Sequence, residues 1–181
     1  ELLKAHEGLK HEVYLDNENS SMVPDEVVKA MLPYYNQRAY GNPTLTHKPG
    51  WEALETIMES AQKISALLGC KTLEEVNFTP GETEANNLAL MGTVLSMKER
   101  GKKIVISEVE PISVLQVTDM LQKYGFTTTK IPVDPEGFIN LEKLKEAIDK
   151  ETVLVSLSAV NHEIGTIQPI KEALKIVKDR N

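Results

Sequence analysis

Val76-Asn77-Phe78-Thr79-Pro80-Gly81-Glu82-Thr83-Glu84-Ala85-Asn86-Asn87-Leu88 reads as a buried strand, a tight turn and the start of a helix. Val76 and Phe78 favour extended backbone, and Pro80-Gly81 is a turn dipeptide. Beyond Thr83 the apolar residues Leu88, Leu90, Met91, Val94, Leu95 and Met97 continue as a helical run. A helix that opens there leaves its first backbone N–H groups without intrahelical partners. Those amides, the helix dipole and the Thr83 hydroxyl together make a seat for a phosphate or a carboxylate. Thr83 equally suits an ordinary helix cap, with Glu84 favourable to the dipole, and spacing alone leaves both readings open. Neither G-x-G-x-x-G after a strand nor G-x-x-x-x-G-K-[ST] occurs, so a phosphate held here belongs to neither a standard dinucleotide nor a P-loop nucleotide.

Downstream, the helix is expected to run to about Arg100 and to stop at Gly101. Ile104-Val105-Ile106 is a wholly apolar strand centre, as in sheets covered on both faces. Ile112, Leu115, Val117, Met120 and Leu121 predict a helix ending at Gly125, followed by a strand from Phe126 to Val133 and a turn at Asp134-Pro135-Glu136-Gly137. A short helix capped by Asn140 carries Leu141, Leu144 and Ile148; Val153 to Ser158 is another strand, and Ile170, Leu174, Ile176 and Val177 mark a last helix. This β-α-β-α-β-α-β-α order predicts an α/β fold: a mostly parallel sheet with helices on both faces. Ligands of such sheets sit outside the carboxyl ends of the strands. That rule nominates Thr79 to Thr83, Glu108 to Pro111, Asp134 to Gly137, and Asn161-His162-Glu163-Ile164-Gly165.

Upstream, residues 1–12 are polar and mixed, an amino-terminal arm that includes His6 and His11. Val13-Tyr14-Leu15-Asp16 suits a brief extended segment, and Asn17 to Ser21 is loop chemistry. Pro24 fits the first turn of a helix whose apolar face is Val27, Val28, Met31 and Leu32. Residues 36–50 lack periodicity and read as a long loop, either functional or a plain connector. From Trp51 a helical pattern runs through Leu54, Ile57, Met58, Ala61, Ile64, Leu67 and Leu68 to a Gly69 C-cap, with Trp51 in a core or an interface.

Composition narrows the function classes. The 181 residues suffice for one good core, or for one domain and part of another. A net charge of −7 argues against nucleic acid or an anionic membrane as the main partner. No apolar run approaches the roughly 20 residues that span a bilayer. The single cysteine, Cys70, rules out an internal disulfide and fits a reducing, cytoplasmic compartment. It follows Gly69 at a helix carboxyl end, where the dipole disfavours a thiolate, so it reads as structural. The start at Glu1, with no Met and no signal-peptide pattern, reads as already trimmed. No His/Cys/Asp/Glu spacing matches a metal site.

Four segments occur in an order that carries a resemblance: Tyr14-Leu15-Asp16-Asn17; Tyr40-Gly41-Asn42-Pro43 with His47; Gly81-Glu82-Thr83-Glu84-Ala85-Asn86-Asn87; and Val160-Asn161-His162-Glu163-Ile164-Gly165. From about Val13 onward the chain resembles the amino-terminal half of the cysteine desulfurase family, pyridoxal-phosphate enzymes of the class V aminotransferase group. The resemblance implies that residues 13–181 are a partial cofactor-binding domain, incomplete in this chain and usually part of a homo-oligomer. It implies removal of sulfur from L-cysteine, giving alanine and a persulfide on an enzyme cysteine, for iron–sulfur cluster or thio-cofactor assembly by way of an acceptor or scaffold protein. By position, Gly81, Glu82 and Thr83 would bind the phosphate of pyridoxal 5'-phosphate. His162 stands where the family has an asparagine near the ring oxygen.

Three departures bear on the chemistry. Pro111 stands where the family has a histidine stacked on the ring, and it offers neither an aromatic face nor a proton. Pro80 and Glu82 replace small residues, and the Glu82 carboxylate would repel a phosphate dianion unless it points away. The cofactor-bearing lysine, the aspartate that pairs with the ring nitrogen and the persulfide cysteine would all lie beyond residue 181. The chain alone is therefore expected to be inactive, with no catalytic residue of its own and the other half supplied in cis or as a second chain. A sheet so divided would leave the Val76 strand without its partner. His162, with Asn161 and Glu163, is either a site group or part of the scaffold of its turn. Another class V reaction, kynureninase-like or selenocysteine-lyase-like, and a non-catalytic assembly module are the competing readings.

Overall fold

A computed structural model describes residues 13–180. The arm at residues 1–12, with His6 and His11, lies outside the described residues, as does Asn181. The chain forms two compact units that divide between Asn77 and Phe78.

The first unit is helical. Its opening segment is a loop rather than a strand, held by Tyr14, whose Oη donates to the Asp16 and Ser20 carbonyls at 3.1 and 2.8 Å. Helix α1 spans Asp25–Met31, with Asp25 and Glu26 in its first turn, and α2 spans Pro33–Asn36. Helix α3 spans Lys48–Leu68 and so begins three residues before the expected Trp51. His47 is its N-cap: the imidazole Nδ1 accepts the Gly50 N–H at 3.0 Å, and Pro49 sits in the first turn, where its missing N–H costs nothing. The helix ends on Gly69 in the left-handed region (φ 69°), as read from the sequence. Trp51 is 58% exposed and so is not a core residue here.

The expected strand at Val76–Phe78 does not form. Val76 is extended (φ −103°, ψ 115°), but among the described residues no strand pairs with this segment, and Phe78 is 57% exposed. A strand exists only as part of a ladder, and local preference for extended backbone cannot supply the neighbour.

The second unit carries the sheet. Helix α4 spans Glu82–Ser96, short of the expected end near Arg100. Then follow β1 (Lys103–Ser107), α5 (Ile112–Gln122), β2 (Thr127–Ile131), α6 (Leu141–Ala147), β3 (Thr152–Ser156) and α7 (Ile170–Arg180). The three strands lie in the order β2-β1-β3, all parallel, with Val105 level with Thr129 and Val155.

Alternation along β1 divides the core in two. Ile104 and Ile106 face α4 and α5, meeting Leu90, Val94, Val117 and Leu121. Val105 faces the other way, meeting Ile131, Leu144 and Ala173, the last two from α6 and α7. Ile104, Val105 and Ile106 are fully buried, so each adds about 1.5–3 kcal/mol of apolar burial relative to exposure. A parallel sheet with helices on both faces is thus what this apolar triplet builds, and it sends the strand ends toward one set of loops.

Candidate functional site

Among the described residues no side chain caps the start of α4, as at α1, α2 and α5. Gly81 is the N-cap, with extended backbone (φ 168°), and a Cβ there would meet nothing within 4 Å. Thr83 is therefore not the cap; it lies in the first turn, exposed, on the second helical position. The first intrahelical bond runs from the Ala85 N–H to the Gly81 carbonyl at 3.1 Å. The amides ahead of Ala85 are consequently without intrahelical partners, as at any helix start, and among the described residues no carboxylate or hydroxyl has taken them.

Glu82 explains why its own carboxylate does not. Its Oε1 accepts from Ser113 Oγ at 2.8 Å and from Asn86 Nδ2 at 3.1 Å. Asn86 Nδ2 also donates to Ser113 Oγ at 2.8 Å. The carboxylate is drawn one turn along α4 and across to the buried first turn of α5.

The β1–α5 loop is held next. Ser107 Oγ accepts the Val109 N–H at 3.0 Å, and the Glu108 N–H bonds the Ile131 carbonyl at 3.0 Å. Glu110 is 5% exposed, and its two oxygens accept the Ser158 N–H at 3.0 Å and the Ser158 hydroxyl at 2.7 Å. Pro111 is the N-cap of α5 (φ −60°, ψ 155°), so the proline serves the helix start.

The β3–α7 loop closes the set. Asn161, 7% exposed, accepts the Glu163 and Ile164 N–H groups at its Oδ1, both at 2.9 Å, and donates from Nδ2 to the Val109 carbonyl at 3.2 Å. Antiparallel bridging of Val160 with Ile167 narrows the loop around it. This is the scaffold reading for Asn161. His162, the next residue, has a side chain 30% exposed, with Nε2 3.8 Å from Glu163 Oε1, beyond hydrogen-bond length. Gln168 joins the Asp134–Gly137 turn to the same loop, donating to the Gly137 carbonyl at 2.6 Å and accepting the Ile139 N–H at 3.0 Å.

All four nominated segments thus lie in one hydrogen-bonded series. It runs from α4 to Ser113 of α5, two residues past the β1–α5 loop, then from that loop through Glu110 and Asn161 to the β3–α7 loop, and through Gln168 to the β2–α6 turn. The link from Gly81, Glu82 and Thr83 to His162 is indirect, by way of these loops. The sequence nominated Glu110 only as part of Glu108 to Pro111, and it did not point to Ser113 or Gln168. Asn86, four residues from Glu82 on one helix face, had a legible spacing; Ser158 and Ser113, 48 and 31 residues from their partners, did not.

An apolar groove of about 290 Å³ runs along β3 and α7, lined by Val153, Val155, Leu157, Leu174 and Val177 among others, with no titratable lining group. Among the described residues no group of His, Cys, Asp and Glu could hold a metal ion, and no helix is long and apolar enough to cross a membrane.

The aminotransferase class-V family model matches residues 13–181. A cysteine desulfurase IscS of Dictyoglomus turgidum is 42% identical over 171 residues, which are 94% of this chain and 43% of the relative. A cysteine desulfurase IscS 1 of Archaeoglobus fulgidus is also 42% identical, over 92% of this chain and 43% of its own length. A solved NifS-like protein superposes with a TM-score of 0.89 at 34% identity, covering 94% of this chain and 46% of that one. A structure of SspA in complex with cysteine superposes with a TM-score of 0.85 at 30% identity, over 93% of this chain and 48% of that one. The chain therefore spans less than half the length of each of these relatives.

Proposed function

The chain belongs to the aminotransferase class-V family, and we propose that it is the amino-terminal portion of a cysteine desulfurase. The carrying observation is the 42% identity to a cysteine desulfurase over 94% of this chain. The relatives' names lend nothing to a kynureninase-like or selenocysteine-lyase-like reading. The proposed reaction takes sulfur from L-cysteine, leaving alanine and an enzyme persulfide, for iron–sulfur cluster or thio-cofactor assembly. The working form is a cytoplasmic homo-oligomer that hands sulfur to an acceptor or scaffold protein.

The residues present fit the phosphate end of pyridoxal 5'-phosphate. Gly81 leaves open space at an uncapped helix start, and the Glu82 carboxylate is tied to Ser113 and Asn86. The Gly81-Glu82 backbone and the Thr83 hydroxyl would hold that phosphate. The cofactor, when bound, supplies an electron sink for the substrate. His162 would orient a ring oxygen by donating a hydrogen bond from the β3–α7 loop, whose course Asn161 fixes. Pro111 can neither stack on the ring nor move a proton, so those tasks fall to other groups. The cofactor-bearing lysine and the persulfide cysteine are assigned to the length of the relatives that this chain does not span.

Equilibrium dialysis of the protein against pyridoxal 5'-phosphate, alone and with a polypeptide covering the remaining length, tests this reading. Binding that inorganic phosphate competes away is expected. Thr83→Ala removes a hydrogen bond to a charged acceptor and should weaken binding by about 1.5–3 kcal/mol. Alanine release from L-cysteine should require the added polypeptide. Absence of cofactor binding in both settings would sink the proposal.

A further inference from the structure

Resting on that phosphate-binding reading, we infer that Ser113 and Asn86 are positioning residues that hold the Glu82 carboxylate off the anion seat at the start of α4, and so set the seat's affinity for phosphate. An acidic side chain in the first turn is attracted to the unpaired amides and the positive end of the dipole. Untethered, Glu82 would compete with a bound phosphate for those amides and repel its charge. In the structure the Glu82 carboxylate does not bond those amides: no described side chain caps α4, and Glu82 Oε1 is engaged by Ser113 Oγ at 2.8 Å and Asn86 Nδ2 at 3.1 Å. Ser113 is 5% exposed and fixed in α5, so this anchor does not move with the surface. Asn86 donates to both Glu82 and Ser113, which makes the three a closed set. Glu82 therefore does not disable the seat; its effect depends on two residues, one of them 31 positions away in the chain.

The test is a double-mutant cycle on the intact protein. Dissociation constants are measured by equilibrium dialysis for pyridoxal 5'-phosphate, for inorganic phosphate, and for pyridoxal, which lacks the phosphate. Ser113→Ala should weaken both phosphate-bearing probes by roughly three- to tenfold, the scale of one charge brought close to a dianion at a solvated site. Pyridoxal should be unaffected. Glu82→Gln removes the charge and should restore phosphate affinity in the Ser113→Ala background, a rescue that simple damage to α5 would not permit. If Ser113→Ala leaves phosphate affinity unchanged, weakens it equally in the Glu82→Gln background, or lowers pyridoxal in parallel, the inference is overturned while the function stands. If the wild-type protein binds neither phosphate-bearing probe, alone or with the added polypeptide, both fall.

Discussion

Glu110 shows how much one buried carboxylate decides. It joins the loop after β1 to the loop after β3 through two hydrogen bonds to Ser158. Glu110→Ala leaves a partly buried N–H and hydroxyl without their acceptor, a loss of about 1–3 kcal/mol. Glu110→Gln keeps one acceptor oxygen and should lose less than half as much. Urea midpoints at unchanged slope check this; equal losses would mean that shape, and not hydrogen bonding, matters there. At the amino ends of the strands, Lys103 Nζ lies 2.8 Å from Asp149 Oδ2, and its hydrogen bond holds that carboxyl below the ordinary aspartate value of 3.8. A depressed folded value stabilises the fold above the unfolded value, and the contribution disappears as pH falls through the folded one. Lys103→Met should therefore let Asp149 titrate higher by carbon NMR. The stability difference between the two proteins should shrink as the pH is taken below 3.8. Neither pair was readable beforehand, because partners 48 and 46 positions apart leave no local pattern.

The elements themselves were largely legible, where their signals are local. The apolar triplet gave β1, Gly69 the end of α3, and Asn140 the start of α6, where its side chain accepts the Lys143 N–H at 3.0 Å. The start of α3 was missed because Lys48-Pro49-Gly50 reads as loop and a histidine ring is an uncommon cap. The Val76 segment is extended but, among the described residues, unpaired, as expected of a divided sheet, because its ladder depends on a distant neighbour. Turns follow the same division, and two glycines separate conformation from contact. Gly69 (φ 69°) and Gly137 (φ 86°) are both left-handed, which an L side chain resists by about 1–2 kcal/mol. A Cβ at Gly69 meets nothing, whereas at Gly137 it would lie 2.7 Å from Ile164 Cδ1 and 3.1 Å from Thr166 Oγ1. Gly137→Ala should therefore destabilise more than Gly69→Ala in matched urea titrations, and it should disturb the loop that carries His162. Equal effects would mean that the Ile164 side chain yields freely.

Both apolar clusters belong to the second unit, drawn from Leu90 to Val177. Among its described residues the first unit has nothing comparable: α1 and α2 bury no residue, and α3 buries only Gly50, Ala53, Ala61 and Ser65. Yet its helices are amphipathic as read from the sequence, with Trp51, Leu54, Ile57 and Met58 of α3 all exposed. A sequence reports that a face is apolar; it does not report what covers it. The relatives' lengths suggest where the cover lies, since this chain spans 43% of the first two. Local stability should therefore be uneven, because opening free energy follows buried apolar contact and runs from near zero up to the global value. In the chain by itself, the amides of Ile104 to Ile106 should exchange slowest. Those of α1 and α2 should exchange orders of magnitude faster, at rates close to those of unstructured peptide. A polypeptide covering the remaining length of the relatives should slow exchange in α3 while leaving β1 nearly unchanged, since β1 is already fully enclosed. Protection of α1 and α2 equal to that of β1 in the isolated chain would show that the apolar faces of the first unit are already covered, and would remove the reason to look for their partner in the rest of the fold.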